Sequence, residues 1–241
     1  MREEYFFYAP EAKTVNRLTE DEAAHAVRVL RFQKGDNIRL MDGKGSFYRA
    51  VITQADKRNC FYEISEEESQ PRIWQQHLHI AMAPTKNIDR TEWFVEKAVE
   101  IGVDEITLLN TEFSERKKVN TERLERIIIS AMKQSRKPFK TVLNGMTDFN
   151  SFVESTKERG RFICHCYGTD NDLEIRERKL LKEQLEKGSD TVVIVGPEGD
   201  FSIDEVAFAE NHGFQGVSLG ESRLRTETAA LAAVHIMQLF T

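Results

Sequence analysis

Between His77 and Phe240, short apolar runs alternate with longer amphipathic ones, and no other feature of the sequence restricts the fold as strongly. Apolar runs at His77–Ala83, Glu105–Asn110, Lys140–Gly145, Arg161–Tyr167, Asp190–Val195 and Phe214–Leu219 predict strands. The 3.6-residue period predicts helices over Ile88–Ile101, Thr121–Ser135, Phe149–Arg159, Leu173–Glu186, Ile203–His212 and Thr226–Phe240. Strand and helix in turn specify an α/β domain with a largely parallel sheet, because parallel neighbours need a crossover between them.

The first seventy residues read differently. Strands are expected at Glu4–Tyr8, Asn37–Met41, Phe47–Gln54 and Cys60–Ile64, with one helix over Ala23–Leu30. A capping box at Thr19-Glu20-Asp21-Glu22 should start that helix. This pattern suits a small, partly closed β-barrel. Glu66–Arg72 is polar, ends near Pro71 and serves as the expected linker. The expected domains are therefore residues 1–70 and 71–241.

Composition excludes several classes. No apolar run approaches the ~20 residues of a membrane span. Three scattered cysteines in 241 residues fit a reducing, cytoplasmic setting rather than a disulfide framework. The formal net charge of −6 provides no global attraction to nucleic acid, so any RNA contact must come from local patches. Candidates are Arg28 with Arg31 on one helical face, the run Arg116-Lys117-Lys118, and Lys133, Arg136, Lys137 and Lys140.

Motif chemistry narrows the site. The phosphate-binding GxxxxGK[ST], the dinucleotide GxGxxG after a strand and the G-x-S-x-G elbow are all missing from the sequence. Cys164-His165-Cys166 lacks a second ligand pair, so core cysteines are expected there and no metal. What remains is Thr191–Ala229. An apolar strand enters Gly196-Pro197-Glu198-Gly199, Ser202–Glu205 forms a capping box, and a second strand enters Leu219-Gly220. Glycine loops at the carboxyl ends of neighbouring strands are where an open α/β sheet holds ligands. Ser202 and Glu205 cap the helix, which leaves Glu198 free, and Arg223 and Arg225 precede a helix N-capped by Thr226. Two arginines there suit an anion or serve as surface ion pairs. The last helix is apolar nearly all round, which favours burial in a subunit interface.

Gly196–Ser202, Leu219-Gly220 and Leu224–Ala229 resemble the C-terminal signature of the RsmE-like ribosomal RNA methyltransferases of the knotted SPOUT superfamily. His25–Arg31, Lys97–Val103, Ser114-Glu115-Arg116 and Gln134-Ser135 resemble further blocks of that family, in the same order. The resemblance implies a PUA-like RNA-binding domain followed by a SPOUT domain with a deep trefoil knot. It implies S-adenosylmethionine, held by Cys166, Tyr167, Val195, Gly196, Pro197, Glu198, Gly199, Leu219, Gly220, Leu224, Arg225 and Thr226 on the loops His165–Gly168, Val195–Gly199 and Leu219–Thr226. It further implies a homodimer through the C-terminal domain, and methylation at N3 of one uridine in 16S ribosomal RNA of the small subunit. Glu198 and Arg225 are the expected catalytic pair. RNA contacts are expected from Arg28, Arg31, Arg116, Lys117, Lys118, Arg136 and Arg223. Three departures stand out: Lys133-Gln134 replaces the family's Glu-Gln pair, Asp200 stands where the family commonly has glycine, and the first arginine after Leu219-Gly220 is displaced by one position, to Arg223. That displacement also keeps open a non-catalytic RNA-binding assembly factor with the same fold.

Overall fold

A computed structural model describes residues 5–56, 58–167 and 178–241. The chain divides into two compact units, residues 1–73 with 129–140, and residues 74–128 with 141–241.

In the first unit, β1 (Phe6–Tyr8), β2 (Asn37–Met41), β3 (Ser46–Ala55) and β4 (Cys60–Ser69) form one sheet in the order β1-β2-β3-β4. β1 runs parallel to β2 and the other pairs are antiparallel. The expected barrel is thus seen as a four-stranded sheet with one further bridge, Arg17 to Phe61. Its core gathers Phe7, Leu18, Ile38, Leu40, Tyr48, Ile52 and Tyr62. The Asp42 carboxylate closes the turn before β3 by accepting from Lys44 N, Ser46 N and the Tyr48 hydroxyl.

Three expectations for this unit change. The acidic run Glu66–Ser69 is the end of β4 and not a linker. Arg39 holds Glu68 through two bonds of 2.8 and 2.7 Å and pulls its carboxyl down to about 2, so this polar segment is anchored in the sheet. The helix α1 (Glu20–Ala24) has Thr19 at its N-cap without a side-chain bond, because Glu22 pairs instead with Lys133 Nζ at 2.6 Å. Third, α1 widens into a π-helical turn over His25–Val29, and Arg31 lies beyond it with φ 58°. Phe32 N then reaches back to Ala26 O, so Arg28 and Arg31 do not share a helical face. Both remain exposed.

The second unit carries seven parallel strands in the order β7-β6-β5-β10-β8-β11-β9. They are β5 (Leu78–Met82), β6 (Glu105–Asn110), β7 (Val142–Asp148), β8 (Gly160–Cys164), β9 (Lys179–Leu180), β10 (Thr191–Val195) and β11 (Gln215–Ser218). Every residue of the central β5 and β10 is buried, as their unbroken apolar runs require when helices cover both faces. The helices are α2 (Ile88–Ile101), α3 (Thr121–Ser135), of which residues 129–135 belong to the first unit, α4 (Phe149–Ser155), α5 (Leu181–Gln184), α6 (Ile203–Asn211) and α7 (Thr226–Leu239). α7 packs on α2, β5 and β10, and α4 on α6. Among the described residues no helix is long and apolar enough to cross a membrane.

The deviations from expectation here have local causes. α4 stops at Ser155 rather than Arg159, since Glu158 is drawn to His79 Nδ1 at 2.6 Å. β8 stops at Cys164, and residues 165–167 form a loop. The helix expected over Leu173–Glu186 lies partly outside the described residues; its described part is the edge strand β9 followed by the single turn α5. Arg225, not Thr226, is the N-cap of α7.

Candidate active site

The carboxyl ends of β8, β10 and β11 lie close together in the sheet, so the loops that leave them converge. They enclose a cavity of about 860 Å³, within the usual range for a small-molecule site. Its lining brings together every residue expected to hold the cofactor: Cys166, Tyr167, Val195–Gly199, Leu219, Gly220 and Leu224–Thr226. Arg223 lines it as well.

The middle loop is built around Phe201, which is fully buried. A Cβ on Gly196 would lie 3.1 Å from the Phe201 ring and 3.2 Å from its backbone nitrogen, so glycine lets the loop fold down onto that ring without displacing it. A turn follows, closed by Asp200 N to Pro197 O at 3.0 Å. Asp200 then takes φ 67°, a left-handed conformation suited to glycine, which explains why a glycine is common there. Its carboxylate compensates by accepting from Cys166 N at 2.7 Å and Phe201 N at 2.8 Å. Tyr167 Oη donates to Phe201 O at 2.5 Å. Asp200 and Tyr167 therefore join the first loop to the second. The capping box of α6 forms as expected, with Ser202 Oγ accepting from Glu205 N and Glu205 Oε2 from Ser202 N.

Glu198 is exposed but not free: its Oε1 accepts from Lys86 N at 3.0 Å. The same Thr85–Asn87 loop is held from beyond by Arg116, whose Nε donates to Thr85 O and Nη2 to Lys86 O. Arg116 and Lys117, named from sequence as RNA contacts, thus bond to backbone within the protein, Lys117 Nζ to Thr111 O at 3.0 Å. Lys118 is exposed. Arg225 is different, because among the described residues its exposed guanidinium has no hydrogen bond or ion pair. Its position at the N-cap of α7 adds the positive end of that helix to its own charge. Arg136 is exposed in the first unit, with φ 53° and its guanidinium 5.7 Å from the Phe6 ring centre. Lys133 and Lys137 contribute less charge to solvent there, since Lys133 pairs with Glu22 and Lys137 is half-buried with its amine pushed down by desolvation.

The Cys164-His165-Cys166 segment also differs from expectation. Cys166 is exposed, Cys164 is partly covered, and His165 is the buried member. Burial drives the Cys164 thiol up to about 12, so it is no nucleophile. His165 is 4% exposed and neither ring nitrogen has a partner among the described residues. Gly216 makes room for the ring: a Cβ there would meet His165 Nε2 at 2.8 Å. Burial, helped by Arg178, lowers the imidazole pKa to about 4. Because the folded value lies below the ordinary 6.5, stability is complete above pH 6.5 and declines as pH falls toward 4. The loss reaches up to roughly 3 kcal/mol. Urea midpoints at pH 7.5 and 5 should differ more for wild type than for His165→Gln; equal differences would remove His165 as the cause.

Sequence reasoning did not single out Arg178, Asp200 or Ser218 as site residues and named His165 only as the start of a cofactor loop, yet all four line the cavity. Asp200 was recognisable, since an aspartate in a glycine-rich turn is a known left-handed substitute. No local signal marks the others.

With the fold and cavity established, the relatives agree across the chain. Residues 72–238 match the family model described as RNA methyltransferase domain, and residues 18–65 match RNA methyltransferase PUA domain. A probable rRNA-methyltransferase from Porphyromonas gingivalis superposes with a TM-score of 0.88 at 45% identity, covering 98% of each chain. A ribosomal RNA small subunit methyltransferase E from Neisseria gonorrhoeae, bound to S-adenosyl methionine, superposes with a TM-score of 0.84 at 28% identity, again over 98% of each. The Aquifex aeolicus ribosomal RNA small subunit methyltransferase E is 29% identical over 98% of this chain and all of its own. The chain belongs to the RNA methyltransferase family, in its RsmE branch: a PUA domain joined to a parallel α/β methyltransferase domain of SPOUT type.

Proposed function

We propose that this chain transfers a methyl group from S-adenosylmethionine to N3 of one uridine in 16S ribosomal RNA of the small subunit. The observation that carries the reading is the cavity at the ends of β8, β10 and β11, walled by glycine-bearing backbone and faced by an arginine with no partner among the described residues. The residues fit the cofactor: Gly196 and Pro197 are buried, offer close backbone approach, and lie beside the apolar Val195 and Leu224. When bound there, the cofactor supplies an electrophilic methyl on sulfur and departs as a thioether. The chain's task is alignment and charge. When N3 gives up its proton, negative charge develops on the uracil carbonyls, and it is neutralised as the methyl joins N3. Arg225 stabilises that charge. Glu198, fixed by Lys86 N–H, orients the base or accepts the proton.

We assign residues 1–70 to RNA binding and 71–241 to methyl transfer, with the knot of the family in the latter. RNA contacts fall to Arg28, Arg31 and Arg136, which are exposed in the first unit, and to Lys118 and Arg223. Neutralising Arg28 and Arg31 together should weaken RNA binding and flatten its salt dependence by about two counterions, at roughly 0.9 for each phosphate no longer neutralised. An unchanged slope would take both out of the footprint. A homodimer through α7 is supported by its partly exposed Leu231, Ala232 and Ile236 and by Leu239, 69% exposed. A monomer mass by light scattering would exclude it.

The decisive experiment is mass spectrometry of small-subunit RNA from a deletion strain, with calorimetry of cofactor binding. Loss of one N3-methyluridine supports the enzyme. Loss of a ribose methyl instead would change the target atom, and an unchanged map would favour an assembly factor.

A further inference from the structure

At the other end of the sheet, where β5, β6 and β8 begin, two histidines and two carboxylates converge. His77 and His79 are two residues apart at the start of β5 and so project to one face. Their ring centres are 6.2 Å apart. Glu158 enters from the turn before β8, and one donor atom from each of His77, His79 and Glu158 lies within 4.8 Å of the other two. The group is well inside the protein, with the His79 side chain 6% and Glu158 14% exposed, while His77 at 36% opens it to solvent.

The surroundings match what metal-bound imidazoles require. Glu105 Oε2 holds His77 Nε2 at 2.8 Å, and Thr107 Oγ1 holds His79 Nε2 at 2.8 Å. Asn144 in turn fixes both braces, reaching Glu105 Oε1 and Thr107 Oγ1. Coordination through Nδ1 of His79 would leave its Thr107 bond in place. Such outer carboxylates and hydroxyls set the ring orientation and tautomer of histidine ligands.

We propose that His77, His79 and Glu158 bind a zinc ion, with water in the fourth position. Two imidazole nitrogens and one carboxylate oxygen suit zinc rather than magnesium or calcium. Ligand bonds of ~2.0–2.1 Å in a tetrahedron place donor atoms roughly 3.4 Å apart, so the shifts needed are of the order of 1 Å. The His79–Glu158 contact, now 2.6 Å, opens and His77 closes in. On binding, the Nδ1 proton of His79 that now faces Glu158 passes to Nε2, or to solvent from a doubly protonated ring; Nδ1 presents its lone pair to the metal and Nε2–H donates a hydrogen bond to Thr107 Oγ1. The ion would tie β5 to β8 across the N-terminal end of β10, which pairs with both. It would be remote from the methyl-transfer cavity at the strands' opposite ends.

The test uses full-length protein stripped with a chelator and titrated with zinc against a chromophoric competitor. One zinc per chain with micromolar or tighter affinity is expected, and zinc should raise the melting temperature. His77→Ala, His79→Ala and Glu158→Gln should each lower the affinity at least about tenfold, and Glu105→Gln by a similar factor through removal of its brace. His77→Ala keeps the core intact and guards against a folding artefact in His79→Ala. In the cobalt-loaded protein it should also abolish the visible bands of four-coordinate cobalt. Absence of stoichiometric zinc binding, or equal affinity in wild type and His77→Ala, would overturn the proposal.

Discussion

Replacing Arg225 by alanine should lower the methyl-transfer rate by about two to three orders of magnitude, the usual cost of losing one preorganised charge stabiliser. The reason lies in how Arg225 differs from Arg116, which was expected to contact RNA. Arg116 is tied to the carbonyls of Thr85 and Lys86, so its charge serves the Thr85–Asn87 loop. Arg225 lines the cavity with no partner among the described residues, at the N-cap of a fourteen-residue helix. A charge held there without a partner is available to whatever develops negative charge in the cavity. Cofactor affinity, measured by calorimetry, should change much less than the rate. Arg225→Lys should recover part of the activity if charge is what matters, and little if the fork of the guanidinium is needed. Full activity in Arg225→Ala would sink the assignment.

The second large effect concerns stability. Phe201→Ala should cost about 3–5 kcal/mol, as for other fully buried aromatic truncations. In a chain of this size that lowers the melting temperature by roughly 6–20 °C. Phe201 packs with Phe149 at 5.4 Å between ring centres and belongs to the cluster of Ile163, Val192, Ile194 and Phe214. It is also the surface on which Gly196 rests, and its carbonyl receives the Tyr167 hydroxyl. The substitution should therefore weaken cofactor binding in addition to stability, whereas Phe201→Leu should retain most of both. A melting temperature within ~2 °C of wild type would contradict the packing argument.

Local periodicity carried most of the fold. The bounds of α2 and α3 are those the 3.6-residue pattern marks, since a long amphipathic face is determined by its own sequence. The capping box of α6 forms because its partners are three residues apart. The superficially similar Thr19–Glu22 box does not, because Lys133 offers Glu22 a charged partner that no local window contains. Glu158 shows the same thing: its bond to His79 ends α4 early, and His79 lies 79 positions away. Propensity yields wherever a distant charge outcompetes a neighbour.

By itself, the sequence determined the α/β class, the small β-rich module before it, and the glycine loops that wall the cavity. These follow from period, turn chemistry and the conformational freedom of glycine, all of them short-range properties. Only the tertiary structure decided which charges are available. It left Arg225 without a partner among the described residues at the cavity, tied Arg116 and Lys117 to backbone, and engaged Glu198 with Lys86. It also brought His77, His79 and Glu158 together. Parallel strands adjacent in the sheet are far apart in the chain, so side chains at their ends meet only once the strand order is set.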